Sequence, residues 1–328
     1  MNNFSIFGQF KTLSPLSHIG ESISTVTYLV QDPIMQQCGG IEEVFCYNGN
    51  AFRGQLRDLA ARYMLDKLNM TVSIDAFHLL FSGGKIGGDQ SIDIAQARIM
   101  RKAVPMIGLF GGGVGNQILP GKLRVGSSYP LCVEALPVLP FIDDDSRKVA
   151  IKCSYRQMTM EKSFTRMDDS KDPRLADVVS LNDAHILEGT KGKKKDGEVS
   201  TQMRMTSELL IPGVTLAHKI DLIGASDIEL GALVSAFDAF SSSPYIGGQC
   251  NRGHGLVSYS SKVVNMTTGE VHDFVKINGD GPARLSKVAQ SAKDAYDTQL
   301  LAQYNEFIAS KESEIRGLLG AAPCGQLL

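Results

Sequence analysis

The chain has 328 residues, of which 43% are hydrophobic and 21% are charged, and its formal net charge is −2. This length suffices for one large domain with insertions or for two domains. The near-neutral charge excludes nucleic-acid binding through a bulk positive field, so any such role needs a local basic surface.

Cysteine usage and hydropathy indicate the compartment. The six cysteines are scattered, without a C-x-x-C pair. The start MNNFSIFGQF has neither the basic region nor the apolar run of a secretory leader, and no stretch has the apolar length that spans a bilayer. We therefore expect an intracellular, soluble protein with reduced thiols and no membrane association.

The N-terminal part is predicted to be extended and then helical. Residues 4–30 have the pattern of strands interrupted by the turn-forming SPLSHIGES, and apolar spacing predicts a helix over residues 50–68 with Asn50 as its N-cap. Arg53 and Arg57 lie one turn apart on this helix. Guanidinium groups near a helix start suit a phosphate chain; the alternative is a solvated helix face.

Residues 70–106 are predicted to form an inserted lobe, followed by a glycine cluster from Gly111 to Gly115 and extended segments to about Ile142. The cluster does not lead into a helix, so it is weak as a dinucleotide site. It does suit a place where another backbone comes close. The acidic run Asp143–Asp145 is interpreted as a solvated loop.

Residues 150–207 are predicted to form a long hairpin. The alternating run AIKCSYRQMTMEKSFTRM leads into a polar stretch, and TQMRMTSELLI brings the chain back. The stretch between them contains a basic tip that we expect to be mobile. This tip is either a solubilising loop or a contact to a polyanion. Its lysines are Lys191, Lys193, Lys194 and Lys195.

The C-terminal part alternates strands and helices. PGVTLAHKIDLI is strand-like, and Ser226 with Glu229 predicts a capping box for the helix DIELGALVSAFDAF. The glycine loop IGGQCNRGHG comes next, then the strand LVSYSSKVVNM and a long helix over residues 284–318. The irregular alternation of strands, hairpins and helices indicates an α+β fold.

Enzyme signatures are incomplete. Gly248 and Gly253 have the G-x-x-x-x-G spacing of a P-loop, but His254 and Gly255 stand where such a loop has its lysine and its serine or threonine. The histidines lack metal-ligand spacing, and no G-x-S-x-G motif is present. We expect no cofactor and no metal, and a nucleotide-binding enzyme is the least favoured interpretation.

Three segments together resemble the backbone proteins of class 1 CRISPR effector complexes, which belong to the repeat-associated mysterious protein superfamily. They are LSPLSHIGES after the first strand, NGNAFRGQLRDLAARYML at the first helix, and IGGQCNRGHGLV before the last palm strand. The segment LFGGGVGNQILPGKLRVGSSYP looks most like the type IV members.

The resemblance implies an RRM-like (ferredoxin-like) palm in one domain over residues 1–328, with the inserted helical lobe at 70–106 and the hairpin at 150–207 as a thumb. Such proteins polymerise along a guide RNA (crRNA) in a helical filament and display its bases for pairing. The implied RNA-binding residues are His18, Ser22, Asn50, Arg53, Gln55, Arg57, Gly112, Gly113, the four lysines of the basic tip, Arg204, Gly247, Gly248, Asn251, Arg252 and His254.

Binding any guide sequence requires contacts to phosphates and 2′-hydroxyls rather than to base edges. Glycines let main-chain amides approach phosphates, and arginines add charge without sequence preference. The implied partners are guide RNA, copies of this chain, other CRISPR effector subunits and a complementary target, with DNA favoured over RNA, in the prokaryotic cytoplasm.

Asp32 raises the question of catalysis. It stands in LVQDPIM, near the position of the aspartate with which type III relatives cleave target RNA. Type IV complexes are regarded as lacking this nuclease. We therefore expect a binding protein that is not an enzyme, with Asp32 as a remnant or a structural turn residue. A target-RNA endonuclease acting through Asp32 is the alternative.

Overall fold

The computed structural model describes residues 2–69, 71–72, 74–84, 98, 101, 104–114, 117–166 and 203–300. The predicted basic tip with Lys191, Lys193, Lys194 and Lys195 lies outside these residues, as do most of the inserted lobe and the predicted helix beyond residue 300. The described part is α+β, as the sequence predicted, with antiparallel pairing in its main sheet.

The strands begin with β1, whose alternating apolar residues Phe4, Ile6 and Phe10 are buried. In chain order they are β1 (Asn2–Thr12), β2 (Ile19–Ile23), β3 (Val26–Leu29), β4 (Gln31–Met35), β5 (Ile41–Phe45), β6 (Gly112–Val114), β7 (Gln117–Leu119), β8 (Leu123–Val125), β9 (Tyr129–Pro130), β10 (Thr159–Arg166), β11 (Met203–Leu210), β12 (Thr215–Ala225), β13 (Val257–Asn265), β14 (Val271–Ile277) and β15 (Arg284–Leu285).

The helices follow the same numbering. They are α1 (Gly49–Leu68), α2 (Ile74–Phe77) with a π-helical continuation (His78–Ser82), α3 (Pro105–Phe110), α4 (Asp144–Ile151), α5 (Asp227–Phe240) and α6 (287–300), with 3₁₀ turns at Val133–Val138, Tyr155–Gln157 and Cys250–Arg252. No helix within the described residues is long and apolar enough to cross a membrane.

The main sheet has the order β15-β14-β13-β1-β12-β8, and β9 also pairs with β12. In chain order, its four central strands and the two helices that connect them are β1, α1, β8, β12, α5 and β13. Phe10 of β1 and Phe52 of α1 meet edge to face with ring centroids 5.0 Å apart, and Phe52 lies 6.0 Å from Phe237 of α5. Both helices therefore cover one face of the sheet and close the core.

A second sheet has the order β10-β11-β3-β2. Antiparallel pairing of β10 with β11, for example Lys162 opposite Ser207, confirms that the second strand-like run brings the chain back. The first strand begins at Thr159, however, and not near residue 150. Residues 150–151 still belong to α4, and a 3₁₀ turn separates that helix from the strand.

The acidic run at 143–145 is a helix start, so the loop prediction was wrong there. The Asp143 carboxylate accepts a hydrogen bond from the Ser146 amide and caps α4, with Asp144 and Asp145 in the first turn. Carboxylates are favourable at that end of a helix because they face the positive end of its dipole. The extended segments predicted after the glycine cluster are confirmed as far as Tyr129–Pro130, but the prediction was wrong from there to Ile142, because Val133–Val138 forms a 3₁₀ turn.

The structure corrects two of the predicted helix starts and confirms a third. α1 begins at Gly49, so Asn50 is inside the helix and Asn48 is its N-cap residue. The last helix starts at residue 287, because Arg284–Leu285 pairs with β14 as a strand. Ser226 and Glu229 do form the predicted capping box of α5.

Candidate nucleic-acid interface

The glycine loop IGGQCNRGHG lies between α5 and β13 and folds back onto the segment at 14–18. A Cβ atom on Gly247 would collide with the Ser17 carbonyl oxygen, and one on Gly255 would collide with that of Ile246. Both glycines have positive φ angles, 76° and 87°. These two glycines therefore serve the turn geometry of the loop itself.

The amide of Gly248 is engaged within the chain, since it donates to the Ser17 carbonyl oxygen at 2.6 Å. The amides of Gly253 and Gly255 likewise donate to the carbonyl oxygens of Cys250 and Pro15. The expectation that bare amides of this loop approach phosphates is therefore wrong for these three. These three amides therefore do not contribute to binding a ligand at this place.

Two such side chains, Arg252 and His254, line a cavity of about 440 Å³ between the loop and the β10–β11 hairpin. The guanidinium carbon of Arg252 lies 4.2 Å from the ring centroid of Phe164 on β10, a cation–π contact. We call this space the hairpin cavity. Its lining is Lys162, Phe164, Thr165, Ser207, Leu209, Arg252 and His254.

The hairpin cavity is electropositive. Burial lowers the pKa of His254, and the positive charges of Lys162 and Arg252 lower this pKa further, so the imidazole is neutral at neutral pH. Among the described residues that line it, there is no carboxylate. Within the part of the chain that the structure describes, neither Lys162 nor Arg252 has an ion-pair partner. Two cations thus remain available to an anionic ligand.

A second cavity, of about 570 Å³, brings together the start of α1 and the glycine cluster. Its lining includes Asn50, Arg53 and Arg57 from the helix and the backbone of Gly112 and Gly113. We call this space the helix cleft. The cluster is also a place of close backbone approach, as predicted. The Gly113 amide donates to Gly83 O at 2.6 Å, and a Cβ on Gly84 would strike Gly113 O.

Arg57 has a structural role within this cleft. Its side chain is only 8% exposed, and the guanidinium donates to the carbonyl oxygens of Phe110 at 2.6 Å and Gly111 at 3.1 Å. These carbonyls end α3, where a cation is favourable. Burial lowers the pKa of Arg57, and the charge of Arg53 lowers it further. Arg57 is therefore not free for a phosphate in this arrangement.

Arg53 also donates to the Phe110 carbonyl oxygen, but its side chain is half-buried and faces the open cleft. Gln55 donates from Nε2 to the Tyr245 carbonyl oxygen at 2.7 Å and ties α1 to the glycine loop. His18 accepts from the Asn48 amide at 3.4 Å, and its ring lies 5.0 Å from that of Tyr47. These contacts connect α1 and the residue before it to the segments at 245–255 and 14–18.

The other predicted residues lie outside both cavity linings. Ser22 is exposed on β2, and Asn251 is exposed in the 3₁₀ turn of the loop. Arg204 lies on β11 opposite Thr165 and donates to the Ser163 hydroxyl at 3.4 Å.

Asp32 is a strand residue of β4 rather than a turn residue. Its carboxylate accepts a hydrogen bond from the Tyr129 hydroxyl at 2.8 Å. The neighbouring Cys46 thiol is buried, and burial raises its pKa to about 11. Among the described residues, no group of three His, Cys, Asp or Glu side chains could hold a metal ion.

Sequence reasoning missed Lys162, Phe164 and Ser207. The first two alternate in MEKSFTR, which places them on one face of a strand. This alternation is visible in the sequence, but no sequence feature indicates that this face of the strand lies beside the glycine loop.

No protein-family model matches the chain, and no curated protein sequence matches it. Among solved structures, it is similar to a chain of one described as "Type IV-B CRISPR Complex". The sequence identity is 17% and the TM-score is 0.53, and the match covers 78% of this chain and 90% of that chain. At this identity the similarity shows a shared fold.

Proposed function

We propose that this protein is a guide-RNA (crRNA)-binding backbone subunit of a CRISPR ribonucleoprotein, built on an RRM-like (ferredoxin-like) palm. The chain order β1, α1, β8, β12, α5, β13 is the strand–helix–strand–strand–helix–strand order of such folds. The sheet order β13-β1-β12-β8 places the first and third of these strands in the centre. The segment at 150–207 acts as the thumb.

The observation that carries RNA binding is the hairpin cavity. Lys162 and Arg252 provide positive charge, Phe164 provides an aromatic face, and no carboxylate opposes them among the described lining residues. Basic grooves with aromatic side chains are the usual means of holding a single strand without reading its sequence. A chain with net charge −2 thus concentrates its positive potential where the strand passes.

The shared fold with a chain of a type IV-B CRISPR complex supports the choice of complex. It agrees with the type IV resemblance of the segment around the glycine cluster. On this proposal the partners are guide RNA, further copies of this chain in a helical filament, other effector subunits and a complementary target, DNA rather than RNA, in the prokaryotic cytoplasm.

Charge reversal tests RNA binding. In the purified full chain, Arg252→Glu and Arg53→Glu should each weaken binding of a single-stranded RNA. Each lost phosphate contact should also lower the slope of log affinity against log salt by about one. Arg62→Glu is the matched control, because Arg62 is an exposed arginine of the same helix as Arg53 that pairs with Asp66 instead. Unchanged slopes for both test variants would remove these residues from the interface.

The protein acts by binding alone, and Asp32 serves the packing of β4 through its hydrogen bond with Tyr129. Incubating the assembled ribonucleoprotein with complementary RNA and Mg²⁺ should leave that RNA intact for the wild type and for Asp32→Ala alike. Cleavage by the wild type that Asp32→Ala abolishes would establish the endonuclease alternative instead.

A further inference from the structure

Gly54 of α1 has no packing role in the part of the chain that the structure describes. It lies inside the helix, where glycine is less favourable than alanine because it only adds backbone freedom to the unfolded chain. A Cβ atom at this position would have no neighbour within 4 Å. The free protein would therefore be more stable with alanine here, which points to a bound partner as the reason for the glycine.

Two other glycines of the helix cleft are required by the fold itself. A Cβ on Gly83 would collide with the Arg57 guanidinium, and one on Gly84 would collide with the Gly113 carbonyl oxygen. Both also have positive φ angles, 82° and 83°, which side chains rarely adopt. Gly54 differs from them, because it has a helical backbone and an open Cβ position.

Gly54 faces the helix cleft beside its cationic groups. Asn50 lies four residues before it and Arg57 three residues after it, which is the spacing of one helix face, and all three line the cleft together with Arg53. Gly54 is exposed, and the described lining of the cleft contains no carboxylate. The open position thus lies next to the half-buried Arg53, where an anionic strand is attracted.

We propose that the sugar–phosphate backbone of the bound RNA lies directly against α1 at Gly54, with a phosphate on Arg53. This inference rests on the proposed RNA binding and adds the residue that sets how closely the strand approaches the helix. Glycine lets another backbone come close because it has no side chain. Arg53 uses one N–H group for the Phe110 carbonyl oxygen and has further donors for a phosphate.

The contribution of Gly54 is space rather than hydrogen bonding. Its amide lies beyond the first turn of α1, where main-chain N–H groups bond to the preceding turn, so it does not donate to a phosphate. Contact of ribose or phosphate atoms with the bare helix backbone is independent of base identity. Such a contact suits a guide of any sequence, and a side chain at this position removes it.

Side chains of increasing size at position 54 test this contact in the full-length protein. Alanine and leucine are both strong helix formers, so neither Gly54→Ala nor Gly54→Leu should lower the midpoint of urea denaturation. Both should weaken binding of an oligouridine RNA, and Gly54→Leu should do so by about 5- to 150-fold, as expected when a close contact is overpacked. Weaker binding without a loss of stability is a combination that a purely structural role of Gly54 does not give.

Gly281→Leu is the matched control. Gly281 lies in the loop between β14 and β15, its φ angle is outside the left-handed region, and its Cβ position also has no neighbour within 4 Å. It lines a different cavity from that of Gly54. This variant introduces the same side chain elsewhere on the surface and should bind the RNA as the wild type does.

Wild-type affinity in Gly54→Leu would overturn the contact and leave RNA binding through Arg53 and the hairpin cavity in place. Equal affinity losses in Gly54→Leu and Gly281→Leu would also overturn it, because the effect would then not be specific to the cleft. A lower urea midpoint in both Gly54 variants would show that the chain itself fills this space. Should Gly54→Leu alone be destabilised, the affinity of Gly54→Ala decides in the same way. Failure of the wild type to bind the RNA would overturn the proposed function as well.

Discussion

At the residue scale, His218 is an ionisable group placed in the centre of the core. Its side chain is fully buried on β12, and the imidazole stacks on Phe10 with ring centroids 4.9 Å apart and planes 9° apart. Gly8 on the neighbouring strand leaves room for it, since a Cβ there would collide with His218 Nε2. Burial lowers the pKa of His218 to about 3, so the ring is neutral in the folded protein.

This placement predicts a loss of stability in mild acid. The unfolded chain has a histidine pKa near 6.5, so below that pH the unfolded state binds a proton that the folded state does not, and the free energy of unfolding falls. His218 alone should lower the free energy of unfolding by about 2 kcal/mol at pH 5 relative to pH 7.5. His218→Leu should remove this part of the loss, as measured by chemical denaturation at both pH values.

His272→Gln is the control, because His272 is half-exposed on β14 and its replacement should leave the pH dependence close to that of the wild type. The comparison is made within each variant, so a packing change in His218→Leu cancels. An unchanged pH dependence in His218→Leu would show that other groups cause the acid sensitivity.

Arg53 and Arg57 show what a sequence cannot distinguish at this scale. They have the same type, the same helix and a spacing of one turn, and both were predicted to contact RNA. The difference arises from α3, whose terminal carbonyls at Phe110 and Gly111 accept hydrogen bonds from Arg57 and bury it. The position of α3 relative to α1 depends on tertiary packing, and no local pattern in either helix encodes it.

At the element scale, two helix glycines have opposite roles. Gly231 lies in α5, and a Cβ there would collide with the Ala292 carbonyl oxygen of α6. Gly54 lies in α1 with nothing within 4 Å of its Cβ position. The first glycine allows two helices to pack closely, whereas the second only adds backbone freedom to the unfolded chain.

Alanine substitutions should therefore change stability in opposite directions. Gly231→Ala should lower the free energy of unfolding by about 1 to 3 kcal/mol, as overpacking does. It should also raise hydrogen exchange within residues 287–300, because α6 has to move away. Gly54→Ala should raise the free energy of unfolding by about 0.5 to 1 kcal/mol. If Gly231→Ala is as stable as the wild type and exchanges identically, the close helix contact is wrong.

Elements with strong local signals were the predictable ones. The capping box at Ser226 and the apolar spacing of α1 each specify their helix with residues close in sequence. The strand start at Thr159 was missed because residues 150–158 alternate by composition while α4 and a 3₁₀ turn satisfy their backbone groups. The run at Asp143 was missed because acidic residues mark both loops and helix N-termini.

At the scale of the whole molecule, the site depends on pairings between distant segments. Lys162 and Ser207 face each other across a hairpin, and Arg252 reaches Phe164 from a loop nearly ninety positions later. Sequence periodicity gives the face of each strand but no register between segments far apart. The α+β class could therefore be predicted, and Arg252 and His254 could be named as candidates. The cavity they form could not.

Hydrogen bonds connect the segments that line the two cavities. Gln55 links α1 to Tyr245 just before the glycine loop, and Ser17 links the segment before His18 to Gly248. On the proposed function, an RNA strand that runs from the helix cleft to the hairpin cavity would follow these hydrogen-bonded segments. Each copy would then offer a short basic track, and copies bound to the same RNA would gain from the high effective concentration of their neighbours.

This arrangement predicts assembly in proportion to RNA length. The purified full chain, mixed with homopolymeric RNAs that lengthen in equal increments, should form particles whose mass in sedimentation rises in equal steps, with one subunit added per fixed increment of RNA. Mixed-sequence RNA of equal length should give the same steps, because stacking and phosphate contacts carry little sequence preference. With Arg252→Glu, a higher protein concentration should be needed to reach the particle mass of the wild type at each RNA length. A single copy bound at every RNA length, or oligomers of the same size with and without RNA, would contradict assembly along the strand.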